Sequence, residues 1–376
     1  MAIQAGLVGF PNVGKSTLFN ALTKAGIPAQ NYPFCTVDPH IAITEVPDER
    51  LDKLVKIFNS AKIVPSIVQF VDIAGLVKGA AQGEGLGNQF LGNIMNVDLI
   101  LHIVRCFKDE KITHVHNAIN SLDDLEIINA ELMLKDLESI EKREEKVANS
   151  LRTAKNRNLS TQEIKELEKE KELIDKIKPA LQSADLQKVQ ELAKKYKQEG
   201  ITTVPLLSAK NFLIIANISE DDLQNREYEN NQHYQTLVEK FGKEKVIPVS
   251  AKIEEELAQL SDEDKAQMLS DLGIEKSGLP EIIKKAYTNL GLITFFTAGP
   301  KEAHAWSIHK NTKIPQAAGT IHSDMERGFI CAEVYNCNDL FELKSELALK
   351  NAGKIRTEGK EYIVQDGDVI LIRFNV

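Results

Sequence analysis

Short apolar runs alternate with amphipathic segments over the first 120 residues of the chain. The runs IQAGLVGF and IVQFVDIAG are each followed by a helical pattern, and DLILHIVRCF is a third buried strand. Strands that alternate with helices are typical of a parallel sheet whose faces are covered. The pattern resumes at NFLIIANISED and KVIPVSAKIE. It therefore predicts one α/β domain with a mostly parallel sheet, built from residues 1–121 and 201–280.

Residues 122–200 interrupt this alternation, and the spacing of their apolar residues is typical of an inserted helical hairpin. Apolar residues recur at intervals of three, four and seven, as in a coiled-coil seam: Met133, Leu137, Ile140, Val147 and Leu151, then Ile164, Leu167, Ile174 and Leu181. Between the two runs, Ser160 and Glu163 form a capping-box signature for the second helix. The pattern predicts an antiparallel coiled-coil arm that projects from the α/β domain.

The pattern changes again from about residue 292. Short β-like runs are separated there by turn residues: TFFTAG, AWSIH, FICAEVYN, KEYIVQDGD and VILIRFNV. They predict a small β-rich C-terminal domain over residues 292–376.

Charge narrows the choice of partners. The chain has 376 residues and a formal net charge of −9, which argues against a protein that coats DNA nonspecifically. Residues 141–200 carry 15 Lys and Arg against 12 Asp and Glu, so the arm is basic relative to the whole chain. Such an excess is typical either of a solvated helical surface or of one that faces RNA or the ribosome.

The sequence predicts no membrane association. The N-terminal MAIQAGLVGF has no basic segment and resembles a first strand, and no run of about 18 apolar residues occurs. The four cysteines, Cys35, Cys106, Cys331 and Cys337, form no C-x-x-C pair and have no zinc spacing. We therefore expect a cytoplasmic protein with reduced thiols.

Residues 9–16, GFPNVGKS, fit the pattern G-x-x-x-x-G-K-[ST] between a predicted strand and a predicted helix. Glycines let backbone N–H groups surround phosphate oxygens, and the helix N-terminus adds a favourable dipole. Lys15 is expected to reach the β- and γ-phosphates, and Ser16 to ligate Mg²⁺. The segment therefore predicts a P-loop nucleotide site.

Three further positions suit the same site. Asp72 ends the apolar run IVQFV, so its carboxylate is placed to bind Mg²⁺ through water, with the Gly75 N–H toward the γ-phosphate. Thr36 lies in the polar loop NYPFCTVDPH, where a threonine can complete the Mg²⁺ coordination when the γ-phosphate is present. Ser16, Thr36 and Asp72 are thus the predicted metal ligands.

The base-recognition segment departs from the guanine motif. Guanine-specific P-loop proteins carry N-K-x-D, whose Asp accepts from guanine N1–H and N2–H₂. Here the strand FLIIA leads into Asn217-Ile-Ser-Glu220, where Ile218 replaces the Lys and Glu220 the Asp. Adenine has no N2 amine; Asn217 suits its N6 and N7, and the backbone near Ile218 its N6–H₂. With Ser250 and Ala251 closing over the base, the segment favours ATP, or loose specificity, over GTP.

The hydrolytic step needs a group that orients water. Ras-type GTPases use a Gln after the D-x-x-G glycine, but this chain has Leu76, which cannot orient water. His114, in DEKITHVHN, is a candidate if its loop folds over the γ-phosphate. Asn12 suggests that K⁺ sits beside the phosphates, as in some P-loop proteins.

The chain resembles a bacterial member of the YchF/Obg-like ATPase family over nearly its full length. The segments that carry the resemblance are GFPNVGKST, NYPFCTVDP, VDIAGLVKGA, GEGLGNQFL, VRCF, THV and NISE, then FFTAG, AW, PQAAGTIHSD, RGFI and EGKEYIVQDGDV. The resemblance implies an Obg-type G domain, a coiled-coil insertion and a C-terminal TGS domain. It also implies ATP preference, Mg²⁺ dependence and ribosome binding.

Several site assignments follow from the resemblance. It places the family's catalytic histidine on His114 and the hydrophobic substitution after D-x-x-G on Leu76. It makes Thr36 the second protein ligand of Mg²⁺. It assigns the ATP phosphate loop to Asn12, Val13, Gly14, Lys15, Ser16 and Thr17. Contacts made by the long, Lys/Glu-rich arm are the least transferable.

The expected function is a slow ATPase switch in translation or stress response. Its partners are expected to be ATP and the ribosome, either the large subunit or the whole particle, with its RNA and no sequence-specific DNA. Two alternatives stay open: an Obg-type GTPase in ribosome assembly, and an RNA- or ribosome-binding adaptor in which nucleotide is a regulatory ligand.

Overall fold

The computed structural model describes residues 4–26, 40–73, 86–108, 120–154, 159–201 and 203–375. The strands in these ranges are β1 (Gln4–Val8), β2 (Ile41–Glu45), β3 (Ile63–Val64), β4 (Ile67–Asp72), β5 (Leu99–Arg105), β6 (Asn211–Asn217), β7 (Val246–Val249), β8 (Leu292–Ala298), β9 (Ala303–His309), β10 (Phe329–Asn336), β11 (Arg356–Glu358) and β12 (Asp368–Phe374).

The helices are α1 (Lys15–Lys24), α2 (Glu49–Phe58), α3 (Leu86–Asn96), α4 (Ser121–Arg152), α5 (Thr161–Gln182), α6 (Leu186–Gln198), α7 (Glu220–Leu223), α8 (Gln232–Phe241), α9 (Ala251–Leu257), α10 (Asp262–Asp271), α11 (Leu279–Asn289), α12 (Ile314–Ile321), α13 (Ser323–Arg327), α14 (Cys337–Leu343) and α15 (Glu346–Asn351). A 3-10 helix covers Gln224–Asn230. None of the helices in the described ranges is long and apolar enough to cross a bilayer.

The first sheet has the strand order β2-β4-β1-β5-β6-β7. Strand β2 runs antiparallel to β4, and the remaining pairs are parallel, which confirms the predicted mostly parallel sheet. The central strands β5 and β6 are almost wholly buried, as expected for strands with helices on both faces. Their carboxyl ends meet at one edge of the sheet, where ligands of open α/β folds bind.

The arm contains the predicted pair of long helices, α4 and α5, together with a third helix. The capping box at Ser160 and Glu163 is present at the start of α5. Arg143 of α4 makes a two-pronged ion pair with Glu170 of α5. The prediction of a simple hairpin was incomplete, because α6 buries an apolar face against the same core.

The first turns of α4 belong to the core of the α/β domain, and the later turns to the core of the arm. Leu125 and Leu132 are buried in the first core, and Ile140 and Val147 in the second. Asp136 lies between these parts, and it accepts hydrogen bonds from the N–H groups of residues 207 and 208 and from a serine hydroxyl. Burial raises the pKa of this carboxyl to about 6. The arm is thus connected to the α/β domain by the continuous helix α4 and by the buried hydrogen bonds of Asp136.

The C-terminal sheet has the order β11-β10-β12-β8-β9-β3. Strand β3 and helix α2 come from the N-terminal part of the chain, inside predicted domain 1–121. Their contacts are nevertheless with the C-terminal body: β3 pairs with β9, and Leu54 is buried with Phe296. Arg50 also pairs with Asp366. A strand over KEYIVQDGD was a wrong prediction, since that segment contributes an isolated bridge at Ile363 between turns.

Candidate functional site

The phosphate loop connects β1 to α1 at the carboxyl edge of the first sheet. Gly14 is the N-cap of α1 with φ +94°, a left-handed conformation that favours glycine. A Cβ atom at Gly14 would lie 2.2 Å from the side-chain nitrogen of Asn217, and one at Gly9 would lie 2.6 Å from the carbonyl oxygen of Ile103. A residue with a Cβ atom at either position would therefore clash with these neighbouring atoms, so both positions require glycine. Gly14 has no side chain that could cap α1, so the N–H groups of its first turn are left for an anion, as is typical of helix N-termini that bind phosphate.

Lys15 and Asp72 are brought together at this edge. Asp72 ends β4, which is the parallel neighbour of β1, and stands opposite Leu7 in the register. The ammonium of Lys15 forms an ion pair with a carboxylate oxygen of Asp72, and the two side chains are 12% and 19% exposed. Ser16, the next residue of α1, is exposed at the same place. The structure therefore brings Lys15 and Asp72 into contact, and the nucleotide site that they were predicted to form stays a prediction.

The donors at this edge suit a magnesium ion. Mg²⁺ prefers hard oxygen ligands, keeps several waters and is usually held by one or two protein groups together with phosphate oxygens. Ser16 offers a hydroxyl. The carboxylate of Asp72 contacts Lys15, the residue before Ser16 in the chain. The described residues contain no cluster of three or more His, Cys, Asp or Glu that would form an all-protein metal cage. The donor set therefore fits an ion shared with a nucleotide.

Asn217 braces the phosphate loop from the end of β6. Its side-chain Nδ2 donates to the carbonyl oxygen of Val13 at 2.8 Å, and its Oδ1 accepts from the N–H of Ala251 at 3.0 Å. The residue is 5% exposed. Sequence reasoning placed this amide against adenine N6 and N7. In the structure both of its groups already have protein partners, so its direct contribution is to position the loop, and contact with adenine stays a prediction.

The other base-segment residues also have defined places. Ile218 is buried, and its N–H donates to the carbonyl oxygen of Val249. Glu220, the first residue of α7, pairs with Lys252 at 2.7 Å, a hydrogen bond that raises the pKa of that lysine. Ser250 and Ala251 are buried at the start of α9. Sequence reasoning missed the ion pair between Glu220 and Lys252. The opposite charges of these two residues, in two segments assigned to the same base pocket, could have predicted it.

Several predicted residues lie outside the described ranges. They are Thr36, Gly75, Leu76 and His114, together with Cys35. Asn12 is described and has φ +64°, and Thr17 is half-buried in the first turn of α1. The described part of the site is therefore the phosphate loop, Asp72 and the base segments.

The fold and the phosphate loop define a P-loop nucleotide hydrolase with a G domain. A family model described as "50S ribosome-binding GTPase" matches residues 4–136. The YchF-GTPase_C model, described as "Protein of unknown function (DUF933)", matches residues 292–375. The chain is 48% identical over 378 residues to the Ribosome-binding ATPase YchF of Bacillus subtilis (strain 168), with 100% of both chains covered. It therefore belongs to the YchF family.

Two further relatives extend this comparison. The Obg-like ATPase 1 of Oryza sativa subsp. japonica is 43% identical and covers 100% of this chain and 92% of its own length. The structure of the Schizosaccharomyces pombe YchF GTPase superposes with a TM-score of 0.82 at 38% identity, covering 99% of this chain and 97% of that one. The relatives' names differ on the nucleotide, some giving ATPase and one GTPase.

Proposed function

We propose that this protein is a cytoplasmic, ribosome-binding ATPase that hydrolyses ATP to ADP and phosphate as a slow nucleotide switch. Full-length similarity to proteins named Ribosome-binding ATPase YchF supports the ribosome, or its large subunit and RNA, as the partner. The observation that supports nucleotide binding is the ion pair between Lys15 and Asp72, which lies beside the phosphate loop that Gly9 and Gly14 allow to form. A terminal TGS-type domain and the basic arm are the proposed ribosome-facing parts.

The phosphate loop binds ATP by an exchange of ion partners. In the structure, the ammonium of Lys15 forms an ion pair with Asp72. Arrival of the β- and γ-phosphates gives the ammonium stronger, multiply charged acceptors, and the Asp72 carboxylate is released toward the metal position. Ser16, Asp72 and Thr36 are the proposed ligands of Mg²⁺, which when bound supplies positive charge at the β- and γ-phosphate oxygens. The backbone N–H groups of the loop hold the remaining phosphate oxygens.

The base segments support adenine over guanine. A guanine site uses an Asp carboxylate to accept two N–H groups; here the position is taken by the longer Glu220, one oxygen of which pairs with Lys252. The position of the motif lysine is taken by Ile218, whose side chain is buried in the core. We therefore assign the base pocket to the loops that carry Asn217 to Glu220 and Ser250 to Ala251, with backbone groups reading adenine N6.

Hydrolysis is assigned to a water oriented by His114. Leu76 stands where Ras-type proteins place the water-orienting Gln, so another polar group must act there. We propose that the loop carrying His114 closes over the γ-phosphate, while Lys15 offsets the developing charge. The left-handed backbone at Asn12 is the proposed place for K⁺ beside the phosphates.

The test of the proposed function is competition between ATP and GTP for the full chain. Both nucleotides are titrated, with Mg²⁺, against a fluorescent nucleotide. ATP is expected to bind more tightly by about tenfold, roughly 1.4 kcal/mol. Tighter binding of GTP would contradict the assignment of the base pocket and favour a GTPase, the activity that the matched family description and the fission-yeast structure carry.

His114→Ala is expected to lower kcat for ATP by more than about tenfold, because removing a group that positions or deprotonates water acts on the chemical step. ATP affinity is expected to stay within about twofold of the wild type, because the residue has no role in ground-state phosphate binding. Single-turnover hydrolysis and equilibrium nucleotide titration measure the two quantities. His116→Ala, two residues further on, is the matched control. An unchanged kcat would exclude His114 from catalysis.

A further inference from the structure

A cavity of about 660 Å³ lies at the base of the arm, away from the phosphate loop. It is surrounded by the first half of α4, the turn between α5 and α6 with the start of α6, the end of α8, the start of β6 and the residue before β7. We call it the arm-base cavity. Its volume falls within the range of small-molecule sites in proteins, roughly 300–1,000 Å³.

One wall of the arm-base cavity is apolar. Met133 and Phe212 are buried there, and Phe241 packs edge-on against the Phe212 ring at 5.8 Å. Leu186 packs against both the core of the α/β domain and the core of the arm. The wall therefore offers two aromatic rings and aliphatic groups to a flat apolar body.

Asn129 contributes a polar side chain to the lining of the arm-base cavity. It lines the cavity from α4 and is 6% exposed. Its side-chain amide has no hydrogen-bond partner among the described residues, whereas most buried polar groups are paired. A buried amide that faces a cavity without a partner is a group available to a ligand.

Lys245 supplies a positive charge with no counter-ion in the described part of the chain. Its ammonium lies 4.3 Å from the centre of the Phe212 ring, inside the lining of the cavity, and burial lowers its pKa. The nearby Lys240 is neutralised by Glu126. Asp185, the remaining carboxylate of the lining, accepts from the backbone at the N-terminus of α6. The formal charges of the lining therefore balance, and Lys245 is the lysine of the lining that has no ion-pair partner among the described residues.

The arm-base cavity and the nucleotide site lie at opposite ends of β6. Phe212 stands near the amino end of that strand, while Asn217 ends it beside the phosphate loop. A ligand in the cavity would therefore not displace ATP. It would contact α4, α6 and α8 together, at the place where the arm joins its parent domain.

We propose that the arm-base cavity binds a small organic anion with an aromatic body, whose charge pairs with Lys245 and whose polar edge meets the amide of Asn129. This inference does not depend on the nucleotide preference of the protein. It assigns a second ligand site to the junction between arm and α/β domain.

The test uses 8-anilinonaphthalene-1-sulfonate, a fluorescent aromatic anion, titrated against the full chain with saturating Mg·ATP. One saturable site is expected, from which naphthalene-1-sulfonate displaces the probe and the neutral 1-naphthalenemethanol does not. Lys245→Met and Asn129→Leu are each expected to weaken binding by about tenfold, as for loss of a charge-assisted or buried hydrogen bond. Lys243→Met is the matched control, since Lys243 is 71% exposed and pairs with Glu229.

The substitutions also separate a ligand group from a structural one. Asn129→Leu is expected to leave Tm unchanged or raised, because it replaces an unpartnered buried amide with an apolar group of similar shape. Absence of saturable binding, loss of the signal on adding ATP, or equal displacement by the neutral compound would overturn the proposal. So would undiminished binding by both Lys245→Met and Asn129→Leu.

Discussion

Lys15→Ala is expected to abolish Mg·ATP binding, with a loss of affinity of about 100-fold or more. The ammonium of Lys15 is held at the mouth of the phosphate loop by Asp72, so it is already placed for the β- and γ-phosphates. Its removal leaves the β- and γ-phosphates without their cationic side-chain partner. Equilibrium titration with a fluorescent ATP analogue measures the effect.

Lys24→Ala is the matched control for this experiment. Lys24 lies in the last turn of the same helix and is exposed. Its substitution is therefore expected to leave ATP affinity unchanged. Wild-type affinity in Lys15→Ala would contradict the assignment of the phosphate site. Co-sedimentation of Lys15→Ala with ribosomes then separates a nucleotide switch, in which ribosome binding changes, from an adaptor, in which ribosome binding persists and turnover is negligible.

Asn217→Ala is expected to lower the free energy of unfolding by about 2–4 kcal/mol, since two buried backbone groups lose their partner. These are the carbonyl of Val13 and the N–H of Ala251. The substitution also leaves a void beside Gly14, whose backbone packs directly on the amide. Because the loop then loses its brace, ATP affinity is expected to fall together with stability. Urea denaturation followed by nucleotide titration of the folded variant measures both.

Asn211→Ala provides the control on the same strand. Asn211 lies at the other end of β6, is exposed and donates to the carbonyl oxygen of Asn289. Its removal is expected to cost no more than about 1 kcal/mol, the usual value for an exposed hydrogen bond. If both variants lost the same small amount, Asn217 would not be the brace of the phosphate loop.

The residue types of the candidate site could be predicted from the sequence, but the hydrogen bonds and ion pairs between its distant segments could not. The spacing of Gly9, Gly14 and Lys15 indicates a phosphate loop from local geometry, and Asp72 follows from its place after an apolar strand. Sequence spacing did not show that Asn217 hydrogen-bonds to the loop about 200 residues earlier, nor that Lys252 engages Glu220. Contacts between distant segments depend on strand order and register, which a local pattern does not contain.

By itself the sequence determined the parallel core, the phosphate loop and the coiled-coil seam of the arm, because periodicity and turn chemistry act over a few neighbouring residues. The tertiary structure alone decided that α2 and β3 join the C-terminal sheet and that α6 completes the arm core. It also decided that Asn129 and Lys245 face one cavity. The physical reason is that burial and pairing of these groups are set by the surfaces of separate elements, which meet only when the whole chain packs.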